Sequence, residues 1–220
     1  FGLLVSTYTV SAGISGLFAT TFVDRFDRKR LLVFFYSGFI IGTLFCGMAD
    51  SYGQLVWARI LTGLFGGVMS SISMAIVADI FSLEQRGRVM GFMQMGFGLS
   101  QIVGIPLSLY IAAEYHWQTP FYLIVGLSIG MLLAILLALK PINAHLALKR
   151  EHSAFSHLLA TIKNRNYRIG FMATAFMSLG GYFMMPWGSA FAVNNVGLSQ
   201  KDLPLLFMIV GISTFMIMPF

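Results

Sequence analysis

Arg59 is the residue in this sequence whose placement most needs a reason. It lies inside an apolar run from about Gln54 to Phe81, where a guanidinium costs roughly 3 to 10 kcal/mol unless it faces water, a partner or a substrate. Gly63 and Gly67 follow at i+4 and i+8, so the spacing predicts one helical face on which the charge stands above a groove of small residues. Asp50 is nine residues earlier, which leaves open a second reading, an arginine that snorkels to the headgroups. Asp79 lies near the far end of the same run; an acid there needs a basic loop residue, and Arg28 is the candidate. Gln94, Gly98 and Gln101 share a face of the next run, and a polar face in lipid points at a cavity or another helix. Further on, Gly180, Gly181, Pro186 and Gly188 surround Tyr182 and Trp187, a composition that predicts a bent or broken helix of the kind that lies at membrane binding sites. Catalytic sets are missing. No run carries paired carboxylates, a His-rich metal face or a Ser/His/Asp set, which disfavours a membrane-embedded enzyme. His145, His152 and His157 are spaced seven and five apart, so they do not share a helical face as ligands, and no metal or cofactor is expected.

These side chains need elements to hold them, and the stretch that organises the elements is Asp24-Arg25-Phe26-Asp27-Arg28-Lys29-Arg30. Phe1 to Val23 before it and Leu31 to Ala49 after it are each about the length that crosses a hydrocarbon core of roughly 30 Å. The heptad therefore reads as a turn at a membrane surface. Its four Lys or Arg against two Asp place it on the cytoplasmic side. Composition gives the same class: 57% apolar, 15% aromatic and 10% charged residues, with a mean hydropathy of +0.81, leave too little polar surface for a soluble globule. A net charge of +6 would suit a nucleic-acid partner only if gathered on one patch. Here it is divided among separate connections, so the bilayer is the expected partner. Cys46, the single cysteine, excludes a disulfide framework.

The third span, about Gln54 to Phe81, ends in the basic stretch Ser82 to Arg88, and the fourth runs from about Val89 to Ala112. A connection without Lys or Arg, Glu114-Tyr115-His116-Trp117, leads to a fifth span from about Pro120 to Leu139. Lys140 to Arg168 then forms the longest connection, followed by spans from about Ile169 to Val193 and from about Leu203 to Phe220. Twelve of the fourteen Lys and Arg fall on one side under this alternation. The expectation is an all-α membrane protein of about seven transmembrane helices, divided as 1–139, a linker at 140–168, and 169–220. Within the linker Leu146, Leu148, Phe155, Leu158, Leu159 and Ile162 recur near helical spacing, which fits a surface-lying helix or a solvated tether equally. Both ends fall inside apolar runs and look cut from a longer polypeptide.

The stretch Thr20-x-x-x-Asp24-Arg25-Phe26-Asp27-Arg28-Lys29 resembles the signature loop of the major facilitator superfamily, Gly-x-x-x-Asp-Arg/Lys-x-Gly-Arg-Arg/Lys. The charges match, and Thr20 and Asp27 stand where the family has glycines. The resemblance implies that Asp24, Arg25 and Arg28, with Asp79 on the fourth helix of the family, form a latch that holds the cytoplasmic face shut. The family's fourth-helix motif, an arginine followed by small residues and linked to proton coupling, is matched by Arg59, Gly63 and Gly67. The fifth-helix antiporter motif, ending Gly-Pro-x-x-Gly-Gly, is matched poorly: Gly104-Ile105-Pro106 splits the Gly-Pro pair, and Leu109-Tyr110 replace the two glycines.

On this resemblance the chain runs from the second helix of twelve into the eighth and is most similar to bacterial proton-coupled efflux permeases in the inner membrane. The implied function is alternating-access transport of a small organic solute coupled to protons. Arg59, Gln94, Gln101, Tyr182 and Trp187 are then coupling or cavity residues, and Gly63 and Gly67 pack helices. The fifth-helix departure keeps open a symporter or facilitator that imports a sugar or organic acid. A short repeat, Gly13-Ile14-Ser15 and Gly211-Ile212-Ser213 at an offset of 198, leads to the expectation that an acidic-basic loop follows Phe220.

Overall fold

The computed structural model describes residues 2–143, 146, 161–184 and 187–217, with the backbone alone at 181–184, 200 and 214–217. Among them regular structure is helical throughout. Helix α1 spans Gly2–Phe22 and runs into a 3-10 turn, Val23–Arg25; α2 is Arg28–Gly47 and α3 is Tyr52–Ile80. A long fourth rod follows in three pieces: α4 Leu83–Leu99, a π turn Ser100–Gly104, and α5 Ile105–Glu114. Then come α6 Thr119–Ala138, α7 Arg165–Met184, α8 Gly188–Asn194 and α9 Leu203–Ile217. Five rods, Gly2–Arg25, Arg28–Gly47, Tyr52–Ile80, Leu83–Glu114 and Thr119–Ala138, are long and apolar enough to cross a membrane. The chain is an integral membrane protein. Helix α7 has 20 residues but begins with Arg165 and Arg168, four residues before the apolar run, and α9 has 15.

Local chemistry explains the boundaries. In α1 each of seven Ser and Thr hydroxyls donates to a carbonyl three or four residues back, so none of them enters lipid unsatisfied. The charged heptad is not all loop, because Arg28, Lys29 and Arg30 form the first turn of α2. Asp27 makes that possible as N-cap, its Oδ1 accepting the Arg30 N–H at 2.9 Å. Ser51 caps α3 through the Gln54 N–H at 3.3 Å, while Gln54 Oε1 reaches back to the Asp50 N–H at 2.9 Å, close to a capping box. The sixth expected span, Ile169 to Val193, is two helices. Trp187 (φ −100°, ψ −8°) precedes the fresh start at Gly188, and residues 185 and 186 lie outside the described residues. So do 147–160, which hold most of the connection read as a surface-lying helix or a solvated tether.

Helix α3 is the centre, with α1 and α2 packed along it and α6 on the far side of α2. Glycines set these approaches. A Cβ on Gly63 would strike Ser11 Oγ and stand 2.5 Å from the Tyr8 carbonyl oxygen, and one on Gly67 would strike the Ala12 carbonyl oxygen. At Gly42 it would lie 2.8 Å from Thr62 Cγ2. The tightest apolar core, Ala19, Val23, Leu31, Val68 and Ile72, gathers at the basic end of these three helices, directly beneath the charged heptad.

Candidate functional site

Arg28 is the one buried charged residue among the described residues, at 3% exposure. Burying an unpaired guanidinium would be prohibitive, and all three arms of its fork are used. Nε donates to Asp79 Oδ2 at 2.8 Å, Nη2 to Asp24 Oδ1 at 2.9 Å, and Nη1 to the Val23 carbonyl at 2.7 Å. The ends of α1 and α3 are thereby tied to the start of α2. Asp79 is 21% exposed at its side chain and Asp24 49%, so the Asp79 arm is the less screened and the stronger. Arg25 is exposed on the 3-10 turn. Asp27, where the family pattern has glycine, has φ −58°, a conformation that needs no glycine. Its Oδ2 is buried without a hydrogen bond among the described residues.

Sequence reasoning missed four further hydrogen bonds at this end. The Arg28 backbone N–H donates to the Ile142 carbonyl at 3.1 Å, Lys29 Nζ to the Leu136 carbonyl at 2.8 Å, and Arg86 to the Ala78 and Phe81 carbonyls at 2.7 and 3.2 Å. A helix leaves its last four carbonyls without partners and its C-terminus partly negative. Arg86 follows α3 by one turn, and a basic residue there is a readable capping signal. Lys29 and Leu136 are 107 residues apart, and no local pattern joins them.

Arg59 sits near the opposite end, about 30 Å from Asp79 along twenty residues of α3. Gly63 and Gly67 share a face that packs on α1, but the half-buried Arg59 side chain turns away from that groove. Its guanidinium lies 5.2 Å from the centre of the Phe121 ring on α6, because the ring face offers a charge in apolar surroundings an attraction that bare glycines cannot. Trp117 meets Phe121 edge-on at 6.3 Å, and the Tyr122 hydroxyl donates to the Gly47 carbonyl at 2.8 Å. A hollow of about 410 Å³ beside them is lined by Asp50, His116, Gln118, Thr119 and Tyr122. Gln94 is exposed on α4, Gly98 buried, and Gln101 half-buried in the π turn. Tyr182 is described by its backbone in α7. Trp187 is 53% exposed and borders the start of α1, 3.9 Å from where a Gly2 Cβ would be. The expected cavity residues thus stand on α3, α4, the π turn, α7 and the residue before α8.

The chain matches the family model described as Major Facilitator Superfamily over residues 1–220. It is similar to "Multidrug resistance protein 3" of Bacillus subtilis (strain 168), 35% identical over 100 residues that make up 46% of this chain and 20% of the relative. "Multidrug resistance protein 2" of the same organism is 24% identical over 219 residues, covering 96% of this chain and 54% of that one. "Vacuolar membrane amino acid uptake transporter fnx2" of Schizosaccharomyces pombe is 37% identical over 106 residues, 48% of this chain and 18% of the relative. The chain spans about half the length of these relatives or less. Helices packed through glycines on a central rod, a buried arginine shared by two acids at one end, and a family match from first residue to last lead to one conclusion: this chain belongs to the Major Facilitator Superfamily.

Proposed function

We propose that the full protein moves a small organic solute across the membrane by alternating access, in the direction of proton-coupled efflux. The observation that carries this is Arg28, a buried cation whose three partners lie on the ends of two neighbouring helices. Such a contact holds the basic end shut and is exchangeable for water when the helices part, which makes it a two-state element rather than a static brace. In this reading Asp24, Arg25, Arg28 and Asp79 form the cytoplasmic latch. Arg59 couples solute movement to protons from its site over Phe121, and Gln94, Gln101, Tyr182 and Trp187 face the solute path. Residues 1–139 supply helices of one half, 140–168 the linker, and 169–220 the start of the other. The multidrug-resistance names of two relatives support export, and the setting is a bacterial inner membrane.

A second reading, import of a sugar, organic acid or amino acid, is favoured by Leu109-Tyr110 in place of the antiporter glycines and by a relative named for amino acid uptake. Proteoliposomes of the full-length protein separate the two. A panel of ethidium, a fluorescent glucose analogue and a fluorescent amino acid is offered under an imposed proton gradient. Export predicts solute movement against the proton flow, import predicts movement with it, and a gradient without effect on any solute would refute proton coupling.

A further inference from the structure

Gly211 lies in the middle of α9 on the face that meets the long fourth rod. A Cβ placed there would stand 2.7 Å from Ile102 Cγ1, 2.8 Å from the Ile102 backbone nitrogen and 3.0 Å from the Gln101 carbonyl carbon. Two of these three atoms are backbone, so a change of rotamer cannot make room. The backbone it meets is itself unusual. Ser100–Gly104 is a π turn, with the Ile105 N–H donating to the Ser100 carbonyl, and Pro106 supplies its cause. Proline has no N–H to return to the Ile102 carbonyl and its ring presses on that carbonyl in ordinary α geometry; a wider turn relieves both. Gly104, inside the turn, has only Ser100 Cβ within reach at 3.7 Å, so the requirement for a missing side chain lies with α9 and not with the turn. The π turn also carries Gln101, the half-buried amide on the expected solute path.

We propose that Gly211 is a positioning residue: seated on the π turn, it fixes where Gln101 stands, and the size of residue 211 governs solute affinity. This rests on the transport reading above, in which α9 and the π turn belong to different halves. The full-length protein in nanodiscs and proteoliposomes tests it with the fluorescent solute of the panel that the wild type moves. Gly211→Ala is expected to raise KM several-fold at unchanged membrane content, because backbone atoms of the π turn must move to admit the Cβ, and to speed amide hydrogen exchange across residues 100–105. Gly126→Ala on α6, where a Cβ meets open space, should change neither. Adding Ile102→Ala should not restore the wild type, because the Ile102 nitrogen and Gln101 carbon remain in the way. Gln101→Ala added to Gly211→Ala should cost little more than either alone. Wild-type KM and exchange in Gly211→Ala, full rescue by Ile102→Ala, or additive losses with Gln101→Ala would each overturn the proposal. If Gly211→Ala does not reach the membrane, Pro106→Ala replaces it: restoring the N–H should return the turn to α geometry and slow exchange there, and an unchanged pattern would be refuting. A wild type that moves no solute defeats the transport reading alone, since the exchange comparison still reports on the contact.

Discussion

Arg28→Lys keeps the charge and removes the fork, and the loss it causes follows from three distances. Arginine reaches Asp79 at 2.8 Å, Asp24 at 2.9 Å and the Val23 carbonyl at 2.7 Å with three different nitrogens. An ammonium is a compact point charge on an unbranched stem; it can approach Asp79 and then leaves the other two acceptors behind. A hydrogen bond from a charged group contributes about 1.5 to 3 kcal/mol. The Asp24 arm is discounted to below about 1 kcal/mol because that side chain is 49% exposed, and the Val23 arm keeps its full value because the carbonyl is buried. The expected loss is about 2 to 3 kcal/mol, a shift of roughly 30- to 150-fold in any equilibrium that the contact holds. Solute transport in proteoliposomes and thermal unfolding in detergent should both fall. A charge swap sharpens the test. Arg28→Asp with Asp79→Arg would place a carboxylate against Asp24 and the Val23 carbonyl, two acceptors with no donor, so the swap should perform worse than Arg28→Lys despite conserving the pair. Adding Asp24→Asn should recover part of the loss. Arg28→Lys with wild-type transport and melting, or a swap that restores function unaided, would refute the three-armed description.

Three other outcomes are expected. Gly63→Val should lower the melting temperature strongly, since its Cβ falls on Ser11 Oγ and the Tyr8 carbonyl and overpacking typically costs 1 to 3 kcal/mol; an unshifted melt would mean that α1 and α3 are not in close contact. Arg59→Ala should abolish proton-coupled transport at normal membrane content, and Phe121→Leu should reproduce a fraction of that defect, because the ring contact accounts for about 0.5 to 2 kcal/mol; full activity in both would remove Arg59 from the coupling role. Lys29→Met should speed amide exchange at the end of α6, where Leu136 loses its cap, by less than a complete unfolding of that end; identical exchange would show that water serves the carbonyl equally well.

The rods were legible in the sequence because apolar length and charge alternation report on the bilayer directly. The pairing of Arg28 with Asp79 was legible too, since an acid at the polar end of an apolar run has few places to find a cation. Arg59 was read only by half. The spacing to Gly63 and Gly67 fixes the backbone face, but a side chain of four rotatable bonds chooses among neighbours, and Phe121 on α6 lies 62 residues away. The π turn was similarly hidden: Pro106 announces a disturbance of the helix, and only the backbone shows that it takes the form of a widened turn.

The basic residues make the same point about cause. Read from sequence, they mark the side of the membrane. In the structure, α1, α3 and α6 all bring their partly negative C-termini to that end, and Arg28, Arg86 and Lys29 serve the carbonyls of Val23, of Ala78 and Phe81, and of Leu136 in turn. Part of the basic excess at this end therefore closes helix ends. The helices that begin at this end face the opposite problem, since their first turns carry Arg28-Lys29-Arg30 in α2 and Arg86 in α4 against the positive pole of the dipole. Glu84 offsets it in α4 and the Asp27 cap in α2. Arg30, exposed in the first turn of α2, contributes only its backbone N–H to that cap. Unlike Arg28 and Lys29, whose side chains serve carbonyls of neighbouring elements, it has no side-chain hydrogen bond among the described residues to set against the positive pole.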